Sequence, residues 1–498
     1  MRQPATILTL LVLALAPLPL IAQEPPPPDV PAPADLQELL RSQQELLDRQ
    51  AKELELQREL LDRQRADLDA QRDAIQALRT QVDNLTLHAT AESALTPEQA
   101  ESLEAPGASD PAVDQPEAPA DVLREGDFPG SIHLPGTNLN AKLGGFVRLG
   151  YVYSLDPIGS DDRFIVGSIP PEGEATAETE PRSTISAKRS RLNLDVRMDS
   201  SVGQFRAFLE GDFAGDGGSE NYRLRHAYGQ YNRLLLGQTW SSFMSTRAIP
   251  EDLDFEGLSA QINVRHPLMR WAGLELVGQN WAFSIEDPQP SLTGGNGSSK
   301  LGDLVTATSW TRDRYHLQLG ALVRNLTGKP LLEDLTEGPE DSTFGYGVNL
   351  SGSLDLRRRN SEDNLRFQLN VGNGIGNYVN DLRSVGGQDG AFDPETGELR
   401  PLPVFAGYLA YQRWWRPVKS RFFRDLRSTL VYSYVYVDNH GFQDGGAYRA
   451  TQRATANVMF SPISSLDIGG QILWGSRRDK DSSFGEAWQW QVVATFRF

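Results

Sequence analysis

Arginine side chains recur on the polar side of many segments in which apolar and polar residues alternate. A guanidinium group presents its N–H donors as a planar fork, so it binds a carboxylate through two parallel hydrogen bonds. A row of such groups along a water-filled passage would attract small organic anions. The candidate arginines of this kind are Arg148, Arg191, Arg197, Arg206, Arg324, Arg366, Arg449 and Arg453. For any one of them, an ion pair with Asp195, Glu210 or Asp212, or a place at a contact between subunits, is an open alternative.

Residues 241–257 (SSFMSTRAIPEDLDFEG) form a second candidate group, after an alternating segment that ends at Trp240. If this stretch folds across an arginine-lined passage, its carboxylates would face the arginines and create a transverse field that orients dipolar solutes. Within residues 241–257, Arg247 is the residue that we expect to contact an anion. A solvated loop, or one that binds the cations bridging lipopolysaccharide, is the alternative. The acidic residues of the stretch are Glu251, Asp252, Asp254 and Glu256.

Groups that could carry catalysis or hold a metal do not form a recognisable motif. The sequence has no cysteine and six scattered histidines, with no pair of metal ligands spaced for one helix face. The stretch 372–376 (GNGIG) ends an alternating segment without a following helix, which indicates a turn and not a phosphate-binding loop. Asp161 and Asp162 fall in a predicted loop. We therefore expect no enzymatic activity, no cofactor and no bound metal.

Alternation between apolar and polar residues is the signal that positions these side chains, because successive residues of a strand point to opposite faces. In the final segment one face carries Trp488, Trp490, Val492, Ala494, Phe496 and Phe498, and the other mostly Gln489, Gln491, Thr495 and Arg497. About sixteen such segments are joined by short turns and long polar loops, with aromatic residues at their ends. This pattern predicts an all-β transmembrane barrel of antiparallel strands. A soluble β-sandwich would also alternate, but it is not expected to combine these features.

Residues 1–22 have the features of a secretory signal peptide: an early arginine, an apolar core and small residues at the end. Pro17 and Pro19 interrupt the apolar run before the roughly 20 residues that a spanning helix needs, so an uncleaved anchor is the less favoured alternative. Since no later run is long enough to span as a helix, a membrane-spanning mature chain would need a closed barrel. The net charge of −18 argues against nucleic acid as a partner, because binding it depends on basic side chains.

The chain before the alternating segments has a different pattern. An aliphatic residue recurs at every seventh position, which is typical of a coiled coil; a single solvated helix is the alternative. These positions are Leu40, Leu47, Leu54, Leu61, Leu68, Ile75 and Val82. The predicted organisation is a signal peptide at 1–22, a proline-rich spacer at 23–34, a coiled coil at 35–88, a disordered linker at 89–130 and the barrel at 131–498.

Several short stretches carry a resemblance to a known family. They are 145–149 (GFVRL), 190–194 (SRLNL), 223–228 (RLRHAY), 235–241 (LLGQTWS) and the terminal Phe498. With the N-terminal heptads, they resemble the DcaP-like trimeric outer-membrane porins. The resemblance implies three sixteen-stranded barrels that admit small organic anions such as dicarboxylates. It also implies that residues 241–257 form an inward constriction and that the barrel-assembly machinery recognises Phe498.

We therefore expect a passive trimeric porin of the outer membrane that prefers small anionic solutes and is surrounded by lipid and lipopolysaccharide. The coiled coil is expected to lie in the periplasm and to reinforce a homotrimer. The alternative from another functional class is a tether or adhesin, in which the coiled coil does the work and the barrel only anchors it. Trimeric adhesins usually contribute only a few strands per chain, whereas this chain has enough segments for its own barrel, which favours the porin.

Overall fold

The computed structural model describes residues 124–498 with short gaps. The gaps are at 175–179, 216–220, 277–278, 333, 335, 357–362, 416–419 and 421. The predicted signal peptide, spacer and coiled coil, and the predicted linker before residue 124, lie outside the described residues.

Within the described residues, sixteen antiparallel strands pair in sequence order and close into a barrel. Closure gives every strand a partner on both sides, so its backbone groups are satisfied without water. The first eight are β1 (Asn140–Ser154), β2 (Arg191–Ser200), β3 (Gly203–Asp212), β4 (Arg223–Tyr231), β5 (Leu234–Trp240), β6 (Arg265–Leu276), β7 (Gln279–Glu286) and β8 (Asp303–Arg312). The last eight are β9 (Tyr315–Pro330), β10 (Asp341–Asp355), β11 (Asn364–Asn373), β12 (Pro403–Trp414), β13 (Arg427–Val437), β14 (Tyr448–Ile463), β15 (Leu466–Asp479) and β16 (Phe484–Arg497).

Shorter strands extend this frame. Arg182–Ser186 pairs with the second half of β1, next to the part of β1 that pairs with β2. Arg124–Glu125 and Ile132–His133 form a small hairpin that pairs with the start of β1. Arg124 and Glu125, which the sequence assigned to the linker, are therefore ordered as strand, because their backbone pairs with Ile132–His133. Gly295–Ser298 pairs with the end of β9.

The long loops also contain secondary structure. They include three short 3₁₀ turns, one short helix α1, and a small three-stranded sheet. The turns are Val166–Ser168, Thr246–Ala248 and Gly376–Tyr378, α1 is Asn380–Val385, and the sheet joins Leu292–Thr293, Gly390–Phe392 and Leu399–Pro401. None of the helices in the described part of the chain is long and apolar enough to cross a membrane.

The barrel closes where the C-terminal residue meets the first strand. Phe498 donates its backbone N–H to the carbonyl of Gly145 at 3.2 Å, and Gly145 donates to the carbonyl of Phe498 at 3.3 Å. Gly145 has φ +153°, and a Cβ atom there would lie 2.2 Å from the carbonyl oxygen of Arg191. Glycine is needed at this position because β1 and β2 approach more closely than a side chain allows.

The two faces of the final strand have the polarity that the alternation predicts for a barrel in lipid. Trp490 is 55% exposed on the outside, whereas Gln491 is 2% exposed on the inside. Tyr432 and Leu430 of β13 likewise point outward, while Thr429 is buried. Apolar outside and polar inside is the reverse of a soluble protein, and it fits hydrocarbon as the outer solvent. The predicted transmembrane barrel is confirmed.

The two ends of the barrel differ in the length of their connections. At the end where Phe498 lies, residues 201–202, 232–233 and 464–465 make short turns. At the opposite end the connections are long, at 155–190, 241–264, 287–302 and 374–402. In outer-membrane barrels the short turns face the periplasm and the long loops face outward.

Candidate functional site

The connection 241–264, here called the inward loop, lies inside the barrel. Its two ends are joined by a hydrogen bond of 3.1 Å from Ser241 N–H to the carbonyl of Val264. Between them, the chain runs along the inner wall formed by β11 to β15. Side chains of the wall form hydrogen bonds of 2.8–3.1 Å with backbone groups of the loop. The pairs, wall residue first, are Gln368 with Ile262, Asn370 with Ala260, Tyr408 with Ala248, Asn457 with Glu251 and Gln471 with Leu253. The stretch that the sequence singled out therefore narrows the interior.

The four acidic residues of the inward loop each contact an arginine. Arg453 lies 2.8 Å from Asp252 and 3.0 Å from Asp254. Glu251 lies 2.6 Å from Arg427 on β13, and Glu256 lies 3.0 Å from Arg163 in the first long loop. The four carboxylates are thus held in direct ion pairs with arginines of the wall and of the first long loop.

Burial sets the protonation behaviour of these loop carboxylates. It raises the pKa of Asp252, although Arg453 acts in the opposite direction. Burial also raises the pKa of Glu256, and Arg163 together with a hydrogen bond from Ser384 opposes the rise. Both groups therefore take up protons at a higher pH than an ordinary carboxylate would.

Two further loops pack against the inward loop. In the connection 374–402, Asn380 donates its backbone N–H to the carbonyl of Gln261 at 2.9 Å. Asp381 donates its backbone N–H to the carbonyl of Ser259 at 3.0 Å. From the first long loop, Gly167 donates its N–H to the carboxylate of Asp381 at 2.8 Å. Three loops therefore meet inside the barrel as one hydrogen-bonded assembly.

A cavity of about 770 Å³ lies beside this assembly and is rich in positive charge. It is bounded by the inward loop, by α1 and by strands β2, β4, β5 and β6. Three acidic residues, Asp252, Asp254 and Glu256, also line it. The lining arginines are Arg163, Arg189, Arg191, Arg223, Arg225, Arg265 and Arg383.

The cavity arginines differ in whether a carboxylate neutralises them. Asp212 lies 2.8 Å from Arg223 and 2.9 Å from Arg225. Glu210 lies 3.2 Å from Arg225 and 3.6 Å from Arg191. Of the arginines named from the sequence, Arg191 thus makes the ion pair with Glu210 that was left open as an alternative.

Two cavity arginines differ from the others, because neither Arg265 nor Arg383 makes an ion pair with any described residue. Arg265 lies over the ring of Trp240, with its Cζ atom 4.5 Å from the ring centre. Its like-charged neighbours include Arg223, Arg225 and Arg383. An anion that enters the cavity therefore meets two guanidinium groups that make no ion pair in the described part of the chain, although Glu256 lies near enough to Arg383 to act on it electrostatically.

Three of the sequence-predicted arginines support the inward loop. Arg148 donates to the carbonyl of Leu253 and Arg366 donates to the carbonyl of Ile249. Arg453 holds the loop carboxylates, as described above. These side chains point into the barrel as predicted, but their donors bind the protein's own loop.

Arg324 and Arg197 show the same tendency in other parts of the interior. Arg324 is 2% exposed and lies 3.2 Å from Asp303 and 3.0 Å from Asp389. Arg197 and Arg206 share the carboxylate of Asp195, at 2.8 and 2.9 Å. Of the predicted arginines, only Arg191 lines the cavity.

Arg247 and Arg449 lie away from the cavity. Arg247 is an exposed residue of a 3₁₀ turn in the inward loop. Arg449 follows a break in strand register after Tyr448, and its guanidinium lies 5.9 Å from the ring centre of Tyr436. Tyr436 belongs to the outward row of β13, so the register break places Arg449 on the outer side, where simple alternation had predicted the inner side.

Six cavity arginines were not singled out from the sequence. Arg223 and Arg225 flank an outward leucine on β4, so the alternation did contain a signal for them. Arg163, Arg189 and Arg383 lie in loops, where no periodicity applies. Arg265 is the first residue of β6, so the alternation does not predict on which face of the strand its side chain lies.

Comparison with known proteins agrees with this architecture. The sequence pattern of the DcaP outer membrane protein family matches residues 136–487. The solved structure of the outer membrane channel DcaP of Acinetobacter baumannii is 22% identical, covers 72% of this chain and 98% of its own, and superposes with a TM-score of 0.61.

Two other solved structures are more distant. An anion-selective porin from Comamonas acidovorans is 12% identical over 72% of this chain and 100% of its own, with a TM-score of 0.46. Pseudomonas putida OprB is 10% identical over 71% and 94%, with a TM-score of 0.45. No curated protein sequence matches the chain. The fold is that of a porin-like outer membrane channel, and the chain belongs to the DcaP outer membrane protein family.

Proposed function

We propose that this protein is a trimeric porin that lets small organic anions, dicarboxylates among them, diffuse passively through the outer membrane. The observation that carries the proposal is the pair Arg265 and Arg383, which line the cavity beside the inward loop without an ion-pair partner among the described residues. Two guanidinium groups in one cavity match the two carboxylates of a dicarboxylate, since each can bind one carboxylate bidentately.

The charge balance of the cavity supports a preference for anions. Among the described residues, seven arginines but only three carboxylates line the cavity, and Arg453, outside the lining, compensates one of the two negative charges of Asp252 and Asp254. Glu256 is compensated by Arg163. The remaining cavity arginines are therefore in excess over the carboxylates. A narrow passage with excess fixed charge attracts the opposite ion, because low-dielectric walls strengthen the interaction.

Arginines continue this positive surface toward the end of the barrel with the short turns. Arg197 and Arg206 lie on β2 and β3 beyond Arg191 and share one carboxylate, that of Asp195. Two guanidinium groups for one carboxylate leave a net positive charge. A solute that leaves the cavity would therefore meet further weak anion sites, which suits conduction because each site can also release the solute.

Single-channel recording in planar bilayers tests the proposal. The purified full-length protein, placed in a KCl gradient, is expected to give an ohmic conductance and a reversal potential that shows anion preference. Added succinate is expected to reduce the chloride current by occupying the cavity. Absence of conductance, or a preference for potassium, would contradict the anion-porin proposal.

A double variant tests whether the two arginines set this preference. R265Q/R383Q is expected to lower the anion-to-cation permeability ratio at least about threefold and to weaken the succinate effect. The single variants R265Q and R383Q are each compared with R449Q, which removes one positive charge from the outer side of the barrel. An effect of R449Q as large as that of either single cavity variant would show that total charge, and not the cavity, determines selectivity.

We further propose that residues 35–88 form a periplasmic coiled coil that reinforces a homotrimer. The heptad pattern supports the coiled coil, and the hairpin at Arg124–Glu125 and Ile132–His133 supports its location, because the hairpin pairs with β1 at the end with short turns. Deletion of 35–88 is expected to leave the barrel folded but to lower trimer stability, measured as the temperature at which the trimer dissociates in detergent. An unchanged dissociation temperature would contradict this role.

A further inference from the structure

Phe255, near the tip of the inward loop, lies among four arginine side chains. The Cζ atom of Arg189 is 4.5 Å from the ring centre, and that of Arg191 is 5.2 Å away. Arg225 and Arg223 follow at 5.4 and 5.9 Å. Guanidinium groups within about 6 Å of a ring centre are attracted to the negative face of the aromatic ring. One ring therefore contacts arginines from β4, from β2 and from the segment before β2.

The two carboxylates that flank Phe255 bind elsewhere. Asp254 is bound by Arg453 at 3.0 Å and accepts a hydrogen bond from the backbone of Phe164. Glu256 is bound by Arg163 and by the hydroxyl of Ser384. The contacts on either side fix the loop so that the ring, and not a carboxylate, is presented to Arg189, Arg191, Arg223 and Arg225.

The chemistry of the residue at this position matters for the charge of the cavity. A carboxylate would attract the four guanidinium groups but would cancel part of their charge. An aliphatic side chain would preserve the charge but would not attract them, and like charges at such short range repel one another. An aromatic ring attracts guanidinium groups through its quadrupole and carries no net charge.

We propose that Phe255 is a positioning residue for selectivity: its ring holds the arginine side chains at the cavity wall and adds no negative charge to that of Asp162, Glu210 and Asp212, the carboxylates with which these arginines pair. This role rests on the proposed anion-porin function and adds to it a determinant that is not itself charged. The ring acts through Arg189, Arg191, Arg223 and Arg225, and it sets where their guanidinium groups lie along the cavity wall.

Three substitutions separate this role from a purely steric one. F255L keeps a bulky apolar side chain and removes the aromatic face, and F255Y keeps the face. F255E supplies attraction together with a negative charge. The readout is the anion-to-cation permeability ratio from the reversal potential of the full-length protein in a KCl gradient, with the reduction of chloride current by succinate as a second measurement.

The expected order of permeability ratios is wild type equal to F255Y, then F255L lower by about two- to threefold, then F255E lower still. Rescue by tyrosine but not by leucine is the result that a steric role would not give. Equal ratios for F255L and the wild type, or an equal loss in F255Y and F255L, would overturn the positioning role.

The variants also distinguish this inference from the function on which it rests. A cation-selective wild-type channel would contradict the anion-porin proposal, whatever the variants do. An anion-selective wild type with an unaffected F255L variant would contradict only the role of Phe255. Unchanged thermal dissociation of the variants in detergent is the control for folding. If F255L does not fold, the comparison of F255Y with F255E still decides, because equal ratios for these two would refute the role.

Discussion

The guanidinium of Arg453, on β14, lies 3.0 Å from the carboxylate of Asp254 in the inward loop, and the two side chains are only 1% and 0% exposed. The same guanidinium donates to Asp252 and to the carbonyl of Gly257. One wall residue therefore fixes the tip of a loop that begins on the other side of the barrel, at β5. The position of this loop determines how much of the interior is open to solutes.

Replacement of Arg453 by glutamine is expected to loosen the inward loop. The variant leaves two buried carboxylates without their main partner, a change that costs about 3–5 kcal/mol when a buried pair is broken. We expect a larger and noisier single-channel conductance and a lower urea midpoint of unfolding. R449Q is the control, since Arg449 lies on the outer side. Wild-type conductance in R453Q would show that the other wall contacts hold the loop without this arginine.

Acidification is expected to increase anion selectivity. Burial raises the pKa values of Asp252 and Glu256, against the opposing effect of Arg453 and Arg163. As the pH falls, these two carboxylates lose their charge earlier than ordinary carboxylates, and the positive charge of the arginines is then less compensated. The anion-to-cation permeability ratio, measured from reversal potentials between neutral and mildly acidic pH, should rise.

The D252N/E256Q variant is the control for this pH effect. It has no titratable group at either position, so its ratio should already be high at neutral pH and should change less on acidification. An equally steep pH dependence in this variant would assign the effect to other groups. The sign also follows for stability: since the folded-state pKa values are raised, charging these groups at higher pH costs folding free energy, and protonation removes that cost.

The barrel could be predicted from the sequence because alternation records which side chains meet hydrocarbon. Gln491 and Trp490 differ in exposure as their polarity requires. The prediction was wrong for Arg449, because a break in strand register after Tyr448 shifts the face of the residue that follows. Arg324 was correctly expected to point inward, but its burial against Asp303 and Asp389 makes it a structural residue.

The site was less predictable because it is made by contacts between distant parts of the chain. Arg453 and Asp252 are 201 positions apart. Phe164 and Asp254 are 90 positions apart. The family resemblance implied an inward loop and the sequence showed its acidic residues, but neither indicated that each acid would bind a specific arginine. Arg383 lies on a six-residue helix within a loop, where neither strand nor helix periodicity gives a signal.

Closure of the barrel is expected to depend on Gly145. Alanine at this position would combine an unfavourable backbone conformation, φ +153°, with a Cβ atom 2.2 Å from the carbonyl oxygen of Arg191. A cost of about 1–3 kcal/mol is expected from the backbone alone. The measurement is the fraction of folded barrel after refolding in detergent, read from the mobility shift on heating. G229A is the matched control, because a Cβ atom at Gly229 meets nothing within 4 Å. Equal folding of both variants would contradict a special role for Gly145.

Arg324 and Arg265 are both inward arginines, and they are expected to respond to the same substitution in opposite ways. R324Q would leave Asp303 and Asp389 buried without their cation, so it should lower the free energy of unfolding by about 3–5 kcal/mol. Its permeability ratio should stay near the wild-type value, because the lost charge was already paired and is absent from the cavity lining. R265Q should instead keep the wild-type stability and lower the permeability ratio, since Arg265 makes no ion pair with any described residue. The measurements are urea unfolding and reversal potentials of both variants. If R324Q changes selectivity as much as R265Q does, then pairing with carboxylates does not distinguish structural arginines from solute-facing ones in this barrel.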